Sequence, residues 1–150
     1  MVNFESLFLQ SKGQKIEYNS KDLVLMDRIA VPGACTIKIM FEAVNSDWRQ
    51  AVVLNTKGTF LVAGQTIRNS VILWEDTAPN EVTIEVITKS KELVIYNAWD
   101  VGNGTTHYWH NGAAMWIEAL GATKRYHCND GYPDDDLNDL IFTLSVDSLT

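Results

Sequence analysis

A strand pattern runs through Cys35-Thr-Ile-Lys-Ile-Met-Phe-Glu-Ala-Val44. Every second side chain is apolar, and the side chains that fall on this face are Cys35, Ile37, Ile39, Phe41 and Ala43. Successive side chains of a β-strand point to opposite sides, so a period of two predicts a strand with one buried face. The segment Glu81-Val-Thr-Ile-Glu-Val-Ile-Thr88 repeats the pattern. The polar residues Lys89-Ser90-Lys91 then suggest a hairpin turn into a further strand over residues 92–99.

Strand-like segments fill the rest of the chain at intervals of about ten residues. They cover residues 22–31, 51–54, 59–63, 70–74, 114–120, 125–128 and 140–146, with turn-forming residues between them. The one helical candidate, residues 112–120, fits a strand equally well. Together these segments predict an all-β fold, a single antiparallel β-sandwich of jelly-roll type, with residues 1–150 as one domain.

Composition narrows the class of protein. The chain has 150 residues, of which 46% are hydrophobic and 21% charged, as expected for a folded domain. A net charge of −7 argues against nucleic-acid binding, which needs a basic face. The apolar runs are too short to span a bilayer. No signal peptide is visible, so the expected compartment is cytoplasmic, with export by another route left open. Cys35 and Cys128 are expected to be buried thiols, or a disulfide if the protein is exported.

An acidic segment, Asn129-Asp-Gly-Tyr-Pro-Asp-Asp-Asp-Leu-Asn-Asp139, contains five aspartates and two asparagines in eleven residues. Clustered oxygens repel one another unless a hard cation screens them, and Ca²⁺ accepts six to eight oxygen ligands. The predicted metal ligands are Asp130, Asp134, Asp136, Asn138 and Asp139. The segment lacks the Gly and Glu of an EF-hand. The alternative is that these side chains only shape a turn by bonding nearby backbone N–H groups.

The run Asp-Asp-Asp-Leu-Asn-Asp-Leu-Ile-Phe, residues 134–142, resembles a short signature near the end of bacterial β-sandwich domains of unknown function. In that signature, an acidic turn of the form D-x-D-[FY]-N-D-[LV]-[VI]-F leads into the last strand. Leu137 stands where an aromatic residue is usual. The resemblance implies a β-sandwich with a calcium site.

A second polar segment, residues 96–112, mixes four aromatic residues with amide, carboxylate and imidazole groups. A sugar ring stacks its C–H face on an indole and bonds its hydroxyls to such polar groups. The predicted ligand-binding residues are Trp99, Asp100, Asn103, His107, Trp109 and Asn111, with the two tryptophans stacking on the ligand. The alternative is that both tryptophans close one end of the core. Trp48 and Trp74 lie beside charged residues and are interpreted as anchors at the rim, with Arg49 over Trp48 or paired with Asp47.

Other kinds of functional site have weaker support in the sequence. A zinc set from His107, His110, His127 and Cys128 is disfavoured, because the His-x-x-His spacing on a strand places the rings on opposite faces. A hydrolase would need a carboxylate pair from Glu75, Asp76, Asp100 and Glu118, and no spacing favours one. No G-x-S-x-G motif or phosphate-binding loop is present.

The sequence therefore predicts a non-catalytic binding module, with calcium-dependent binding of a carbohydrate or glycoconjugate as the leading function. The alternative is a protein-interaction module of immunity or assembly type, whose acidic rim contacts a basic partner. A carboxylate-based hydrolase ranks third. Exposed edge strands would also allow a homodimer.

Overall fold

The computed structural model describes residues 3–148 of the predicted domain of residues 1–150, and it confirms an all-β fold. The strands form an antiparallel sheet that is curled into a half-barrel. In chain order the elements are α1 (Phe4–Gln10), β1 (Ile16–Tyr18), β2 (Lys21–Val24), β3 (Asp27–Ala30), β4 (Ala34–Val44), β5 (Arg49–Val62), β6 (Gln65–Trp74), β7 (Glu81–Thr88), β8 (Glu92–Asp100), β9 (Ala114–Leu120), β10 (Thr123–Asn129) and β11 (Leu140–Ser148).

The sheet is continuous in the order β1-β2-β9-β10-β11-β4-β7-β5-β8-β3, and β6 lies on the other edge of β5. The first half of β5 pairs with β8 and its second half pairs with β7. The switch occurs near Gly58, where a Cβ atom would sit 1.9 Å from the carbonyl oxygen of Ile87, so only glycine allows the approach. This hydrogen-bonded continuity does not confirm the predicted jelly-roll sandwich.

The period of two decides which side chains are buried. In β7 every second residue is buried, beginning with Val82, Ile84 and Val86, as the sequence predicts. In β4 the alternation holds from Cys35 to Phe41, which packs against the core, and then shifts, because the pairing with β11 skips Glu42. A bulge turns the next residue to the other face. Val44, rather than the predicted Ala43, therefore packs against the core.

Some predicted elements were wrong. Strands β7 and β8 do not form a hairpin, since β5 lies between them in the sheet. Residues 51–54 and 59–63 belong to one strand, β5, while residues 22–31 divide into β2 and β3. The helical candidate at residues 112–120 was wrong, whereas the strand predicted over residues 114–120 is confirmed as β9.

Helix α1 was not predicted, although its signals are present. The side chain of Asn3 accepts a hydrogen bond from the Glu5 backbone N–H, which caps the helix. Phe4 and Phe8 are four residues apart and so share one buried face. They form a small second core with Leu23, Ala114 and Leu137. Since Leu137 belongs to the acidic segment, this core fixes one end of that segment to the sheet.

The two cysteines are not bridged: Cys35 and Cys128 are free and buried. Burial raises the pKa of both thiols, so neither is an activated nucleophile. None of the helices within residues 3–148 has the length and apolar character to cross a membrane.

Candidate cation site and adjoining cleft

The acidic segment is clamped by one buried asparagine at the end of β10. The side chain of Asn129 accepts a hydrogen bond from the Leu137 backbone N–H and donates one to the Asp134 carbonyl oxygen, each at 2.8 Å. Its own carbonyl oxygen accepts a hydrogen bond of 2.7 Å from the side chain of Asn97 on β8. Residues 129–137 are therefore tied across the loop and to β8, a strand that is not adjacent to β10 in the sheet.

Asp130 is completely buried and its carboxylate is fully engaged. Oδ2 accepts hydrogen bonds from Ser46 Oγ at 2.6 Å and from Gln50 Nε2 at 2.9 Å, while Oδ1 accepts one from the Tyr132 backbone N–H. Because these donors satisfy both oxygens, Asp130 fixes the loop against the start of β5. These hydrogen bonds explain the position of Asp130 without an ion.

Three other aspartates converge. Asp134, Asp136 and Asp139 each place a carboxylate oxygen within 4.8 Å of the others, which is close enough for one metal ion to bind all three. Oδ1 of Asp134 is buried and has no hydrogen-bond partner among the described residues. The amide of Asn138, oriented to satisfy its neighbours, donates to both carboxylate oxygens of Asp136 at 3.0 and 3.2 Å. Asn138 thus positions Asp136 rather than adding an oxygen to the cluster.

Burial and mutual repulsion make this cluster electrostatically unfavourable when its members are ionised. Burial, with the charges of Asp130 and Asp134, raises the pKa of Asp139 to about 8. Burial and the nearby Asp136 carboxyl group raise the pKa of Asp134 to about 6. No ion pair formed by residues 3–148 involves these carboxylates, so no Lys or Arg supplies the missing positive charge. A cation bound between them would relieve the repulsion.

An open cleft of about 680 Å³ adjoins the cluster. Trp48 and Tyr132 stand at its edge with ring centroids 6.5 Å apart and planes at 71°. Tyr132 is half-exposed, with 52% of its surface accessible. The full lining is Asn45, Ser46, Asp47, Trp48, Asp130, Tyr132, Asp134 and Asp139. The cleft thus combines aromatic faces, amide and hydroxyl groups, and two of the converging carboxylates.

The second predicted site is arranged differently from the expectation. Trp99 is only 1% exposed and packs beneath Gly131, where a Cβ atom would lie 2.6 Å from its indole ring. Its face is therefore covered by the protein, as the core interpretation expects. Trp109 is half-buried and packs on Tyr96 with ring centroids 4.8 Å apart. The indole N–H of Trp109 has no partner among the described residues.

The polar members of that site are mostly occupied with local structure. Oδ1 of Asp100 accepts hydrogen bonds from three backbone N–H groups, those of Gly102, Asn103 and Gly104, which lower its pKa. Asn103 accepts a bond from the Thr105 backbone N–H. Asn111 is exposed, and its carbonyl oxygen accepts a bond from the N–H of Glu5 at the start of α1. The loop therefore braces one end of the half-barrel.

Two alternative residue sets do not assemble. His127 stacks on Trp116 and contacts Glu118 at 3.1 Å, which separates it from the zinc set. The proposed hydrolase carboxylates have separate partners: Asp76 binds Arg49, Asp100 caps its own loop, and Glu118 binds Arg125. Arg49 lies over Trp74 at 4.5 Å, and so neither over Trp48 nor against Asp47.

Sequence reasoning missed several residues of this region. Ser46, Gln50 and Asn129 support Asp130 and the loop, and Tyr132 forms part of the cleft. The signal for Asn129 was its position at a strand end next to Asp130. Ser46 and Trp48 lie between β4 and β5, where the sequence analysis predicted only a tryptophan anchor at the rim of the core.

A scan of protein-family models, a search of curated proteins and a search of solved structures found no match to this chain.

Proposed function

We propose that this protein is a non-catalytic binding domain in which Asp134, Asp136 and Asp139 hold a Ca²⁺ ion beside a cleft that binds a carbohydrate. The observation that carries the proposal is the convergence of three carboxylates within 4.8 Å at a cleft edged by Trp48 and Tyr132.

The ion is assigned from the chemistry of its ligands. Carboxylate oxygens favour hard cations, and the absence of sulfur or imidazole ligands in this cluster disfavours zinc and copper. Three carboxylates from one irregular loop leave the rest of the coordination sphere to water, backbone oxygens or a ligand. Ca²⁺ tolerates such an irregular, expandable sphere, whereas Mg²⁺ requires near-ideal octahedral geometry.

The carbohydrate is assigned from the walls of the cleft. Tyr132 presents an exposed ring, and Trp48 and Tyr132 meet edge to face, so a sugar can place its C–H face against one ring while the other limits its position. Asn45 and Ser46 supply amide and hydroxyl groups for its hydroxyls, and a Ca²⁺ ion at the cluster can accept hydroxyl oxygens directly. These rings take the role that the sequence assigned to Trp99 and Trp109.

A glycan array tests this function when it is probed once in calcium and once in EDTA. The calcium concentration should be about a hundredfold above the dissociation constant of the ion. We expect binding to a defined glycan class that EDTA abolishes. Tyr132→Ala should weaken that binding, while Tyr108→Ala, which removes an exposed tyrosine elsewhere, should leave it intact. A silent array in calcium would contradict the carbohydrate assignment.

The unpaired acidic loop also favours a second function, an interaction module for a basic protein. Such a partner would bind without calcium, and its binding would weaken steeply with added salt, because it would be attracted by the same uncompensated carboxylates. If a protein partner is captured more strongly in EDTA than in calcium, and the glycan array is silent, this function is favoured over the first.

A further inference from the structure

The loop between β8 and β9 brings two histidines together that sequence spacing would have separated. His107 Nδ1 and His110 Nε2 lie 3.3 Å apart, and their rings meet edge to face with centroids 5.3 Å apart. The His-x-x-His spacing does not lie on a regular strand here, so the two rings are free to converge.

We propose that His107 and His110 form a binding site for a late first-row transition metal ion, with Zn²⁺ as the reference ion. The ligand atoms are Nδ1 of His107 and Nε2 of His110. This site is separate from the aspartate cluster and does not rest on the proposed calcium function.

The distance between the two nitrogens carries the inference. Two nitrogens bound at 2.0–2.1 Å to one tetrahedral Zn²⁺ ion lie about 3.3–3.4 Å apart. The separation of 3.3 Å equals that edge. The same distance also fits a hydrogen bond in which one ring nitrogen donates to the other. The pair is therefore spaced for a shared proton and equally for a shared ion.

The backbone holds the pair in place. Trp99 and His107 exchange two backbone hydrogen bonds, of 3.0 and 2.8 Å, which extend the β8 pairing to His107. Trp109, between the histidines, has a φ of 63°, a left-handed conformation that bulky residues rarely adopt. The Ala113 N–H then bonds the His110 carbonyl oxygen at 3.1 Å and closes the turn. Such strained residues cluster at functional sites because the surrounding structure must hold them.

Packing beneath the pair adds to its order. Trp99 lies nearly parallel to the ring of His107, with planes at 24° and centroids 6.3 Å apart, and its centroid is 5.2 Å from that of His110. Because Trp99 is itself buried beneath Gly131, both rings rest on a fixed surface. Two ligands placed before the ion arrives lose less entropy when it binds.

The chemistry selects the class of ion. Neutral imidazole suits Zn²⁺, Cu²⁺ and Ni²⁺, whereas Ca²⁺ and Mg²⁺ prefer oxygen. Binding requires both facing nitrogens to be unprotonated, so the ring protons must occupy Nε2 of His107 and Nδ1 of His110, with no net proton release from the neutral pair. Within residues 3–148 no third His, Cys, Asp or Glu joins the pair, and the ion would keep open positions for water or an exchangeable ligand.

Titration of the intact protein with Zn²⁺ alone tests the site, by calorimetry and by NMR of the imidazole nitrogens. We expect one ion per chain at this site, with His107 Nδ1 and His110 Nε2 shifting together while the nitrogens of His127 do not. His107→Phe and His110→Phe should each weaken Zn²⁺ binding by at least about tenfold, since even indirect changes around a metal site cost about 10–100-fold.

Matched variants separate this site from the other histidine and from the acidic loop. His127→Phe and Asp136→Asn should each leave the imidazole shifts and the affinity within about twofold of the unmodified protein. The proposal is overturned if Zn²⁺ produces no saturable shift of both imidazoles, if both phenylalanine variants bind as tightly as the unmodified protein, or if Asp136→Asn abolishes the response. Should a phenylalanine variant fail to fold, the imidazole shifts of the unmodified protein still decide the outcome.

Discussion

The carboxylate of Asp139 accepts a 2.9 Å hydrogen bond from the backbone N–H of Asp130. The first residue lies just before β11 and the second just after β10, so this bond closes the acidic loop between two paired strands. Asp139 is 4% exposed, and its own N–H donates to the Cys128 carbonyl oxygen at 3.0 Å. A single side chain thus fixes the loop and contributes one of the three converging carboxylates.

The raised pKa of Asp139 makes the stability of the ion-free protein depend on pH. With a pKa of about 8 in the folded state, against about 4 in the unfolded chain, the folded state binds the additional proton between these values. Stability in EDTA should therefore rise as the pH falls from 9 to 6, by about 2.7 kcal/mol, since pH 6 lies two units below the folded-state pKa of about 8 and one unit corresponds to about 1.4 kcal/mol. Urea denaturation at a series of pH values measures this.

Asp139→Asn should flatten that dependence, whereas Asp147→Asn, which removes an exposed carboxylate at the other end of β11, should preserve it. Stability in EDTA that increases from pH 6 to pH 9 would be opposite to this pH dependence. Such a result would contradict the burial of an ionisable Asp139.

Gly131 packs so closely on Trp99 that a methyl group has no room. Its Cβ atom would lie 2.6 Å from the indole ring, which is itself held in the core. Gly131→Ala should lower the free energy of unfolding by about 1–3 kcal/mol through overpacking, and should displace the neighbouring Asp130. Thermal or urea denaturation measures the first effect.

Gly33→Ala is the matched control, because its nearest neighbour would be 3.6 Å away, an ordinary contact. We expect its free energy of unfolding to change by less than about 0.5 kcal/mol. Equal stability of the two variants would show that the loop does not press on Trp99.

Tyr126 joins the two sides of the half-barrel. Its hydroxyl donates a 2.7 Å hydrogen bond to Asp27 on β3, and Lys124 contacts the same carboxylate oxygen at 3.0 Å. Because Tyr126 is fully buried, Tyr126→Phe should lower the free energy of unfolding by about 2 kcal/mol through loss of a bond to a charged group. Urea denaturation checks this, with the half-exposed Tyr132→Phe as a control that should be nearly neutral. If Tyr126→Phe left the free energy of unfolding unchanged, the hydrogen bond to Asp27 would not be what stabilises β3.

The sequence predicted local features of this fold far better than long-range ones. The alternation in β7 depends only on neighbouring residues, and its bounds, Glu81–Thr88, are those of the structure. Whether β7 and β8 pair with each other depends on the position of β5, which lies between them in the sheet. No local sequence pattern encodes that position. Helix α1 has one turn of apolar contact, Phe4 and Phe8, and is stabilised mainly by the core that it covers.

The candidate sites show the same limit. The acidic segment was conspicuous in composition, but which aspartates converge depends on buried clamps such as Asn129 and Gln50. The covered face of Trp99 follows from its contact with Gly131, 32 residues later in the chain. The sequence predicted that His107 and His110 lie on opposite faces of a strand. The left-handed backbone conformation of Trp109 interrupts the strand and allows the two rings to meet.

Thermal denaturation in calcium tests the central claim most directly. If Asp134, Asp136 and Asp139 hold Ca²⁺ in the folded state only, an excess of a hundredfold over the dissociation constant should stabilise the fold by about 2.7 kcal/mol. The melting temperature should rise by roughly 5–10 °C, and EDTA should reverse the rise. Asp136→Asn should abolish the response and Asp135→Asn, an equal change of charge outside the cluster, should retain it. An unchanged melting temperature in millimolar calcium, or equal responses from the two variants, would contradict the calcium site.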